Sequence, residues 1–314
     1  MKLSIISPAY NEDEVLPLFF ERVEKVCQDL LEKDEIQDYE LIIIDDGSTD
    51  QTWHIIKKAH QRNIKIKGVK FSRNFGHHST TIAGLDHAQG DFIIFMDSDL
   101  QAQPEDIPKL LNEFAKGFAV VWGVAKERKD KFFIRLSSRI YYWLFNKIAG
   151  VKIFKENVMA GCSKTAANHI RQLREVKQFA PALWNYIGLK SSIVEIEKKE
   201  RLKGTMKYSA MKRANLALVS IIGFSKFPLK ISSILGFVMS FIGFLLGIYM
   251  ISMKLLYGIP VPGYTSLFAS ITFFLGIQLL ILGIIGEYIG IIIDEVKRRP
   301  IYIVEEILDD KKQS

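Results

Sequence analysis

Two long stretches of apolar residues without a single charge lie near the C-terminus, at residues 231–253 and about 264–286. A helix rises about 1.5 Å per residue, so each stretch is long enough to cross a hydrocarbon layer of about 30 Å. Buried helices of a soluble core are the alternative. The sequence predicts a hairpin of two transmembrane helices over 229–290, and the remainder is long enough for one large soluble domain.

Basic residues lie at both outer ends of this hairpin. Lys226 and Lys230 precede the first stretch, residues 297–299 follow the second, and Lys254 lies between them. Because cytoplasmic loops carry an excess of Lys and Arg, both outer ends are expected on the cytoplasmic side. The N-terminal residues also lack the long apolar core of a signal peptide. We therefore expect a multi-pass protein of the cell membrane whose soluble domain and termini are cytoplasmic.

Two segments that precede the hairpin combine apolar and basic residues. Residues 131–148 read KFFIRLSSRIYYWLFNKI, and residues 205–228 have a similar composition. Such segments are typical of helices that lie in a membrane interface, although a core helix of the soluble domain is the alternative for 131–148. The expected boundaries are a soluble domain at 1–204, a juxtamembrane segment at 205–228, the hairpin, and a cytosolic tail at 291–314.

The charge balance indicates the kind of partner. The 314 residues carry a net charge of +7 and a pI near 9.1, which suits a phosphate-bearing partner. The apolar stretches favour a lipid bilayer and a lipid ligand over nucleic acid. Cys27 and Cys162 lack the CxxC or His-rich context of a zinc site, and we expect unpaired thiols.

Short buried-strand patterns alternate with helical patterns over residues 3–123. The strand patterns lie at 3–7, 41–44, 64–71, 92–96 and 119–122, and helical spacing separates them at 15–31, 52–60, 79–88 and 107–114. The order βαβαβαβ predicts a mostly parallel sheet with right-handed crossovers. Ligands of such sheets collect at the carboxyl ends of the strands.

Polar and acidic residues follow three of these predicted strands. The first strand ends in SPAYNE (7–12), the second in DDGSTD (45–50) and the fourth in DSDLQ (97–101). One Asp-x-Asp pair is common in turns, but three such groups at one sheet edge indicate a binding site. A leaving diphosphate needs a hard cation, Mg²⁺ or Mn²⁺, for which Asp99 is the best ligand, with Gln101 and Asp97 nearby. Glu12 and Asp46 can accept hydrogen bonds from a base or ribose.

Four motifs carry a resemblance to a known family: PAYNE (8–12), DDGS (45–48), SRNFG (72–76) and DSDLQ (97–101). They resemble family 2 glycosyltransferases, whose GT-A fold is a Rossmann-like α/β domain. Within that family the chain is similar to polyprenyl-phosphate glycosyltransferases, such as bactoprenol glucosyl transferases and dolichol-phosphate mannose synthases. The resemblance covers essentially the whole chain, including the paired apolar stretches.

The resemblance implies three sets of site residues. The nucleotide-binding set is Pro8, Tyr10, Glu12, Ile44, Asp46, Asp97 and Ser98. The set that serves the diphosphate and the metal is Asp97 and Asp99, which we also expect to be catalytic, and Gln101. The set that contacts the acceptor phosphate is Arg128, Arg139, Arg201 and Lys207, and Arg135 of the basic segment 131–148 is a further expected contact.

The chain departs from the family's pattern at three places. Ala102 and Gln103 replace the usual Asp and first Pro after DLQ, residues 157–163 read NVMAGCS, and Met206 replaces the usual Ser before Lys207. These departures concern the sugar pocket and the approach of the acceptor rather than the nucleotide site.

The resemblance implies transfer of one sugar, with inversion, from a nucleotide-sugar such as UDP-glucose or UDP-N-acetylglucosamine to polyprenyl (undecaprenyl) phosphate. Further expected partners are a second copy of the chain, a flippase, and a membrane glycosyltransferase that uses the product for cell-surface glycosylation. A processive polysaccharide synthase is one alternative, although two spans make a polymer channel hard to build and the Gln-x-x-Arg-Trp signature is absent. A catalytically silent nucleotide-sugar-binding scaffold is the other.

Overall fold

The computed structural model describes residues 1–125, 157–174, 184–199, 227–257 and 263–309. They belong to two compact units, one within Met1–Lys207 and Arg299–Ser314, the other within Tyr208–Arg298. The predicted interfacial helix 131–148 and nearly all of segment 205–228 lie outside the described residues. So do the predicted acceptor contacts Arg128, Arg135, Arg139, Arg201 and Lys207.

Strands and helices alternate through the first 125 residues, as the sequence predicts. In chain order they are β1 (Lys2–Ala9), α1 (Leu16–Glu32), β2 (Asp38–Asp45), α2 (Thr52–Arg62), β3 (Ile66–Phe71), α3 (His77–His87), β4 (Phe92–Met96), α4 (Ile107–Ala115) and β5 (Val120–Ala125). A short 3-10 turn, Pro104–Asp106, precedes α4. The apolar runs become strands buried on both faces, since all but the first residue of β2 are buried.

The described elements after residue 125 include strands that the sequence pattern did not indicate. They are β6 (Asn157–Ser163), α5 (Lys164–Gln172), β7 (Ser191–Ile196), α6 (Phe227–Tyr257), α7 (Tyr264–Val296) and β8 (Val304–Leu308). The divergent segment 157–163 is therefore a strand. Ser163 then begins α5, because its side-chain oxygen accepts a hydrogen bond from the Ala166 N–H (3.3 Å).

The described strands form one eight-stranded sheet in the order β7-β5-β6-β4-β1-β2-β3-β8. β6 runs antiparallel between β4 and β5, and β8 runs antiparallel beside β3. The other pairings are parallel, so the predicted, mostly parallel sheet is confirmed. Residues Ala9 and Asp45 are paired in register, which places the carboxyl ends of β1 and β2 side by side.

The two faces of the sheet are covered differently. Leu3 and Ile5 of β1 share a buried cluster with Phe19 of α1 and Leu110 of α4. On the opposite face α3 lies very close to β1, since a Cβ added at Gly84 would lie 2.2 Å from Cγ2 of Ile6. This close approach brings the N-terminus of α3 towards the site edge of the sheet.

The two apolar stretches are helices, α6 and α7, at the places that the sequence predicts. Length and composition make Phe227–Leu256 and Phe273–Val296 candidate membrane spans. Large apolar side chains are exposed along them, such as Phe237 (74%) and Leu279 (68%), as expected for a surface that meets lipid. α7 continues past residue 286, where the uncharged stretch ends, to Val296.

Candidate functional site

The turns after β1, β2 and β4 meet at one edge of the sheet, as their sequence positions predict. Backbone hydrogen bonds join the first two, because the Asp46 N–H donates to the Ala9 carbonyl (2.9 Å). The Ser98 hydroxyl donates to the Pro8 carbonyl (3.1 Å) and thereby joins the turn after β4 to β1. The structure thus brings Pro8, Asp46 and Ser98 together, whereas their roles toward a nucleotide remain predictions.

Asn11 holds the turn after β1 in place, a contribution that we did not predict. Its backbone is left-handed (φ 54°), a conformation that Asn adopts more readily than most residues. Its side-chain oxygen accepts from the Thr49 N–H (2.9 Å), and its own N–H donates to the Ser48 hydroxyl (3.0 Å). The neighbouring Glu12 N–H donates to the Thr52 hydroxyl (2.9 Å). Tyr10 and Glu12 are therefore presented from an ordered turn.

Asp46 holds the loop 72–76 against the end of β2. Its carboxylate accepts hydrogen bonds from the N–H groups of Phe75 (2.7 Å) and Gly76 (2.9 Å). Gly47 makes the contact closer still, because its φ is 69° and an added Cβ would lie 2.4 Å from the Arg73 carbonyl carbon. The SRNFG motif thus packs directly on the DDGS motif.

The two adjacent carboxylates at the end of β2 ionise with difficulty. Burial raises the pKa of Asp45 and of Asp46 above the ordinary value, and hydrogen bonds from backbone N–H groups offset part of that effect. For Asp45 the donor is the Ser48 N–H (3.0 Å). The buried side chain of Ile44 precedes them, and its predicted nucleoside contact remains a prediction.

Asp99 lies in a tight turn after β4. It is 7% exposed, and its Oδ1 accepts a hydrogen bond from the Gln101 N–H (3.1 Å). Leu100, between them, is buried and left-handed (φ 57°). The Lys199 N–H donates to the Gln101 carbonyl (3.1 Å), so the chain after β7 also fastens this turn. Asp97, in contrast, is exposed to solvent.

Gln103, one of the departures from the family pattern, supports the same turn. Its side-chain nitrogen donates to the Leu100 carbonyl (2.6 Å), and its side-chain oxygen accepts from the Arg22 guanidinium. Arg22 of α1 also pairs with Glu105. This link was not predicted, since nothing local connects residue 22 with residue 103. The usual proline would lack these hydrogen bonds.

The donor set fits a cation that arrives with a phosphate ligand. Within the described parts of the chain, no group of three or more His, Cys, Asp or Glu side chains could hold a metal ion. Mg²⁺ and Mn²⁺ take oxygen ligands, and Mg²⁺ commonly binds through one or two carboxylates, waters and substrate phosphates. The carboxylate of Asp99, with Asp97 and Gln101 in the same turn, is a set of that kind.

A cavity of about 100 Å³ lies beside Asp97. Polar side chains from Asp97, His77 and Thr81 contribute to its lining, together with the largely apolar residues Ile6, Pro8, Phe95, Met96, Val158, Met159 and Ala160. The divergent strand β6 therefore supplies one wall. His77 is the first residue of α3 and had no predicted place in a cavity.

The family model "Glycosyl transferase family 2" matches residues 4–176, which contain all the turns described above. The chain belongs to glycosyl transferase family 2. The resemblance inferred from the four motifs is confirmed, and the protein is a glycosyltransferase.

Relatives of this glycosyltransferase align along almost its whole length. It is 38% identical to a prophage-derived bactoprenol glucosyl transferase of Shigella flexneri over 98% of this chain and 98% of that protein. It is 34% identical to the undecaprenyl-phosphate 4-deoxy-4-formamido-L-arabinose transferase of Photorhabdus laumondii, over 99% and 95% of the two chains. The solved glucosyl-3-phosphoglycerate synthase of Mycobacterium tuberculosis aligns at 17% identity and a TM-score of 0.47, over 70% of this chain and 77% of that one, too distant to bear on function.

Proposed function

We propose that this glycosyltransferase moves one sugar from a nucleotide-sugar to a polyprenyl phosphate at the cytoplasmic face of the cell membrane. The observation that carries the proposal is the meeting of three polar turns at one sheet edge in a chain that also has two candidate membrane spans. The names of the aligned relatives, which include a bactoprenol and an undecaprenyl-phosphate transferase, support a lipid phosphate as acceptor.

The donor is assigned to the edge formed by the turns after β1, β2 and β4. Pro8, Tyr10, Glu12, Ile44, Asp46 and Ser98 are the proposed nucleoside contacts, and the resemblance favours UDP-glucose or UDP-N-acetylglucosamine. The cavity beside Asp97 is the proposed place for sugar hydroxyl groups, because His77, Thr81 and Asp97 add polar atoms to its apolar lining.

Asp99, with Gln101 and the nearby Asp97, is proposed to hold Mg²⁺ or Mn²⁺. When bound, the ion compensates the negative charge that develops on the leaving diphosphate. The protein's part is to present Asp99 in one orientation, for which the bonds to Leu100 and Gln101 are suited. Preorganisation of this kind removes a cost of rearrangement at the moment of reaction.

The acceptor phosphate is already anionic near neutral pH, so its oxygen can attack the anomeric carbon without a strong general base. Catalysis then depends on positioning and on leaving-group stabilisation. An in-line displacement would invert the anomeric centre. The proposed acceptor contacts Arg128, Arg135, Arg139, Arg201 and Lys207 lie outside the described residues. The homo-oligomer, the flippase and the later membrane glycosyltransferase also remain predictions.

The test is transfer of label to lipid by the full chain in detergent. Radiolabelled nucleotide-sugars are offered singly with undecaprenyl phosphate and Mg²⁺ or Mn²⁺, and the lipid is extracted. We expect one donor to label a lipid that carries a single sugar, and chelation of the metal to abolish labelling. Long products would favour the processive synthase, and nucleotide binding without labelled lipid from any donor would favour the silent scaffold.

A further inference from the structure

The chain that follows the last apolar helix returns to the sheet and reaches a loop of the site edge. β8 pairs with β3 from Gly68 opposite Leu308 to Phe71 opposite Val304. Beyond the end of β3, the Ser72 N–H donates to the Ile303 carbonyl (3.0 Å). The loop 72–76, which packs on Asp46 and Gly47, is thus also bound by this C-terminal segment.

Tyr302 makes the central contact of that segment. Its ring stacks on Phe71 with 5.1 Å between centroids and 16° between planes. Phe71 meets the Phe75 ring edge-on at 5.7 Å and 87°. The Phe75 N–H is in turn the 2.7 Å donor to Asp46. Tyr302 is therefore connected through Phe71 and Phe75 to the carboxylate of Asp46, the proposed nucleoside contact.

The hydroxyl of Tyr302 makes contacts of its own, separate from the ring stack. It donates to Asp86 Oδ2 of α3 (2.7 Å), and the Arg174 guanidinium binds the same carboxylate through two hydrogen bonds (2.9 and 2.7 Å). A tyrosine hydroxyl is protonated at neutral pH, and burial and the neighbouring Asp86 raise the pKa of Tyr302 further. Tyr302 therefore joins β3 to α3, the two elements that the loop connects.

We propose that Tyr302 is a positioning residue for the donor nucleotide: it holds the loop 72–76 in the conformation that Asp46 and Gly47 require. This inference rests on the proposed function, because it assumes that the edge at Asp46 binds the nucleotide. It also makes the segment after α7 part of the site's support, since only residues 297–301 separate Val296 from Tyr302.

The experiment measures calorimetric affinity for UDP with the full chain in detergent. Tyr302→Ala removes the stack and the hydroxyl, and UDP binding should weaken roughly two- to tenfold, the scale of one aromatic pair. Tyr302→Phe keeps the stack and should retain most of the affinity. The matched control is Glu306→Ala, which removes the β8 contacts to Trp53 (2.8 Å) and Lys57 (2.8 Å) away from the loop. It should lower the melting temperature but leave UDP affinity unchanged.

The outcomes separate this inference from the function on which it rests. A wild-type chain that binds none of UDP, GDP and CDP overturns the proposed donor site and the inference with it. Wild-type binding that is unchanged in Tyr302→Ala, or equally weakened in Glu306→Ala, overturns the inference alone. If Tyr302→Ala does not fold, Tyr302→Leu replaces it, and tryptic cleavage after the exposed Arg73 should be faster than in the Phe variant. Equal cleavage rates would contradict the positioning role.

Discussion

The two ends of strand β2 place carboxylates in opposite electrostatic settings. Near its amino end, Glu40 accepts hydrogen bonds from the Ser4 hydroxyl (2.6 Å) and the Gln89 N–H (2.6 Å) and pairs with the Lys67 ammonium (3.1 Å). Burial opposes its ionisation, but these partners outweigh burial, and the pKa of Glu40 lies below its ordinary value. At the carboxyl end burial dominates, and the pKa of Asp46 lies above its ordinary value.

This difference distinguishes the scaffold of the glycosyltransferase from its candidate site. Charges at the amino end are compensated inside the fold, where Lys67 also binds Asp309 (3.1 Å) just beyond β8. Asp45 and Asp46 at the carboxyl end remain costly to ionise, because burial raises the pKa of both. Perturbed carboxylates are common at functional sites, where local stability is sacrificed for ligand binding. Variants at the two ends should therefore affect different measurements.

The largest effect is expected at the scaffold end. Lys67→Ala removes the ammonium that contacts the buried carboxylates of both Glu40 and Asp309, and leaves Glu40 with Lys2 at 3.5 Å. The free energy of unfolding should fall by about 3 kcal/mol, the lower end of the range for a broken buried pair. The measurement is chemical denaturation in detergent, followed by tryptophan fluorescence. Lys116→Ala, which breaks the solvent-screened pair with Glu113, is the control and should change the free energy of unfolding much less. Equal losses in the two variants would refute the comparison.

At the site end, Asp99→Asn should reduce turnover roughly a hundredfold or more, because it removes one anionic oxygen from the proposed cation site. The melting temperature should hardly change, since an amide oxygen can still accept from the Gln101 N–H. Lipid labelling at saturating Mg²⁺ or Mn²⁺ is the measurement. Asp309→Asn is the counterpart at the other end and should lower stability while the folded enzyme keeps its turnover. Near-normal turnover of Asp99→Asn would exclude Asp99 as a metal ligand.

A variant of Gln103 tests whether the link from Arg22 of α1 to the turn at Asp99 affects metal binding. Gln103→Ala removes the bonds to the Leu100 carbonyl and to Arg22, and the metal concentration for half-maximal activity should rise about fivefold, the scale of one hydrogen bond. A metal titration of the transfer reaction measures this change. The control is Gln28→Ala, which removes an exposed contact with Glu32 on α1. An unchanged metal requirement in both variants would limit Gln103 to a packing role.

The smallest expected effects are those of pH on stability, and they have opposite signs for Glu40 and Asp46. For Glu40, whose pKa is lowered from 4.5, the stability advantage of wild type over Glu40→Gln is full above that pH and lost as pH falls through the folded value. For Asp46, whose pKa is raised from 3.8, the wild type loses stability relative to Asp46→Asn as pH rises through the folded value. Denaturation midpoints of wild type and variant, measured over the pH range around each folded pKa, should show these two opposite trends. Trends of the same sign for Glu40 and Asp46 would contradict the opposite electrostatic settings of the two ends of β2.

The sequence by itself determined the alternation of strands and helices, the polar turns at one sheet edge and the two apolar helices. These features are local, because a buried strand, an amphipathic helix and an uncharged span each leave a recognisable pattern within about twenty residues. The site edge could be predicted for the same reason, since parallel strands must present their carboxyl ends together.

Only the tertiary structure decided how distant segments complete that edge. The antiparallel insertion of β6, the link from Arg22 through Gln103 to Leu100, and the return of the chain as β8 have no local period. Tyr302 and Asp86 are 216 residues apart in the sequence, yet they share one hydrogen bond. Such pairings depend on register and complementary polar groups that meet only after the sheet has formed. For that reason neither strand β8 nor the support of the loop 72–76 could be read from composition or spacing.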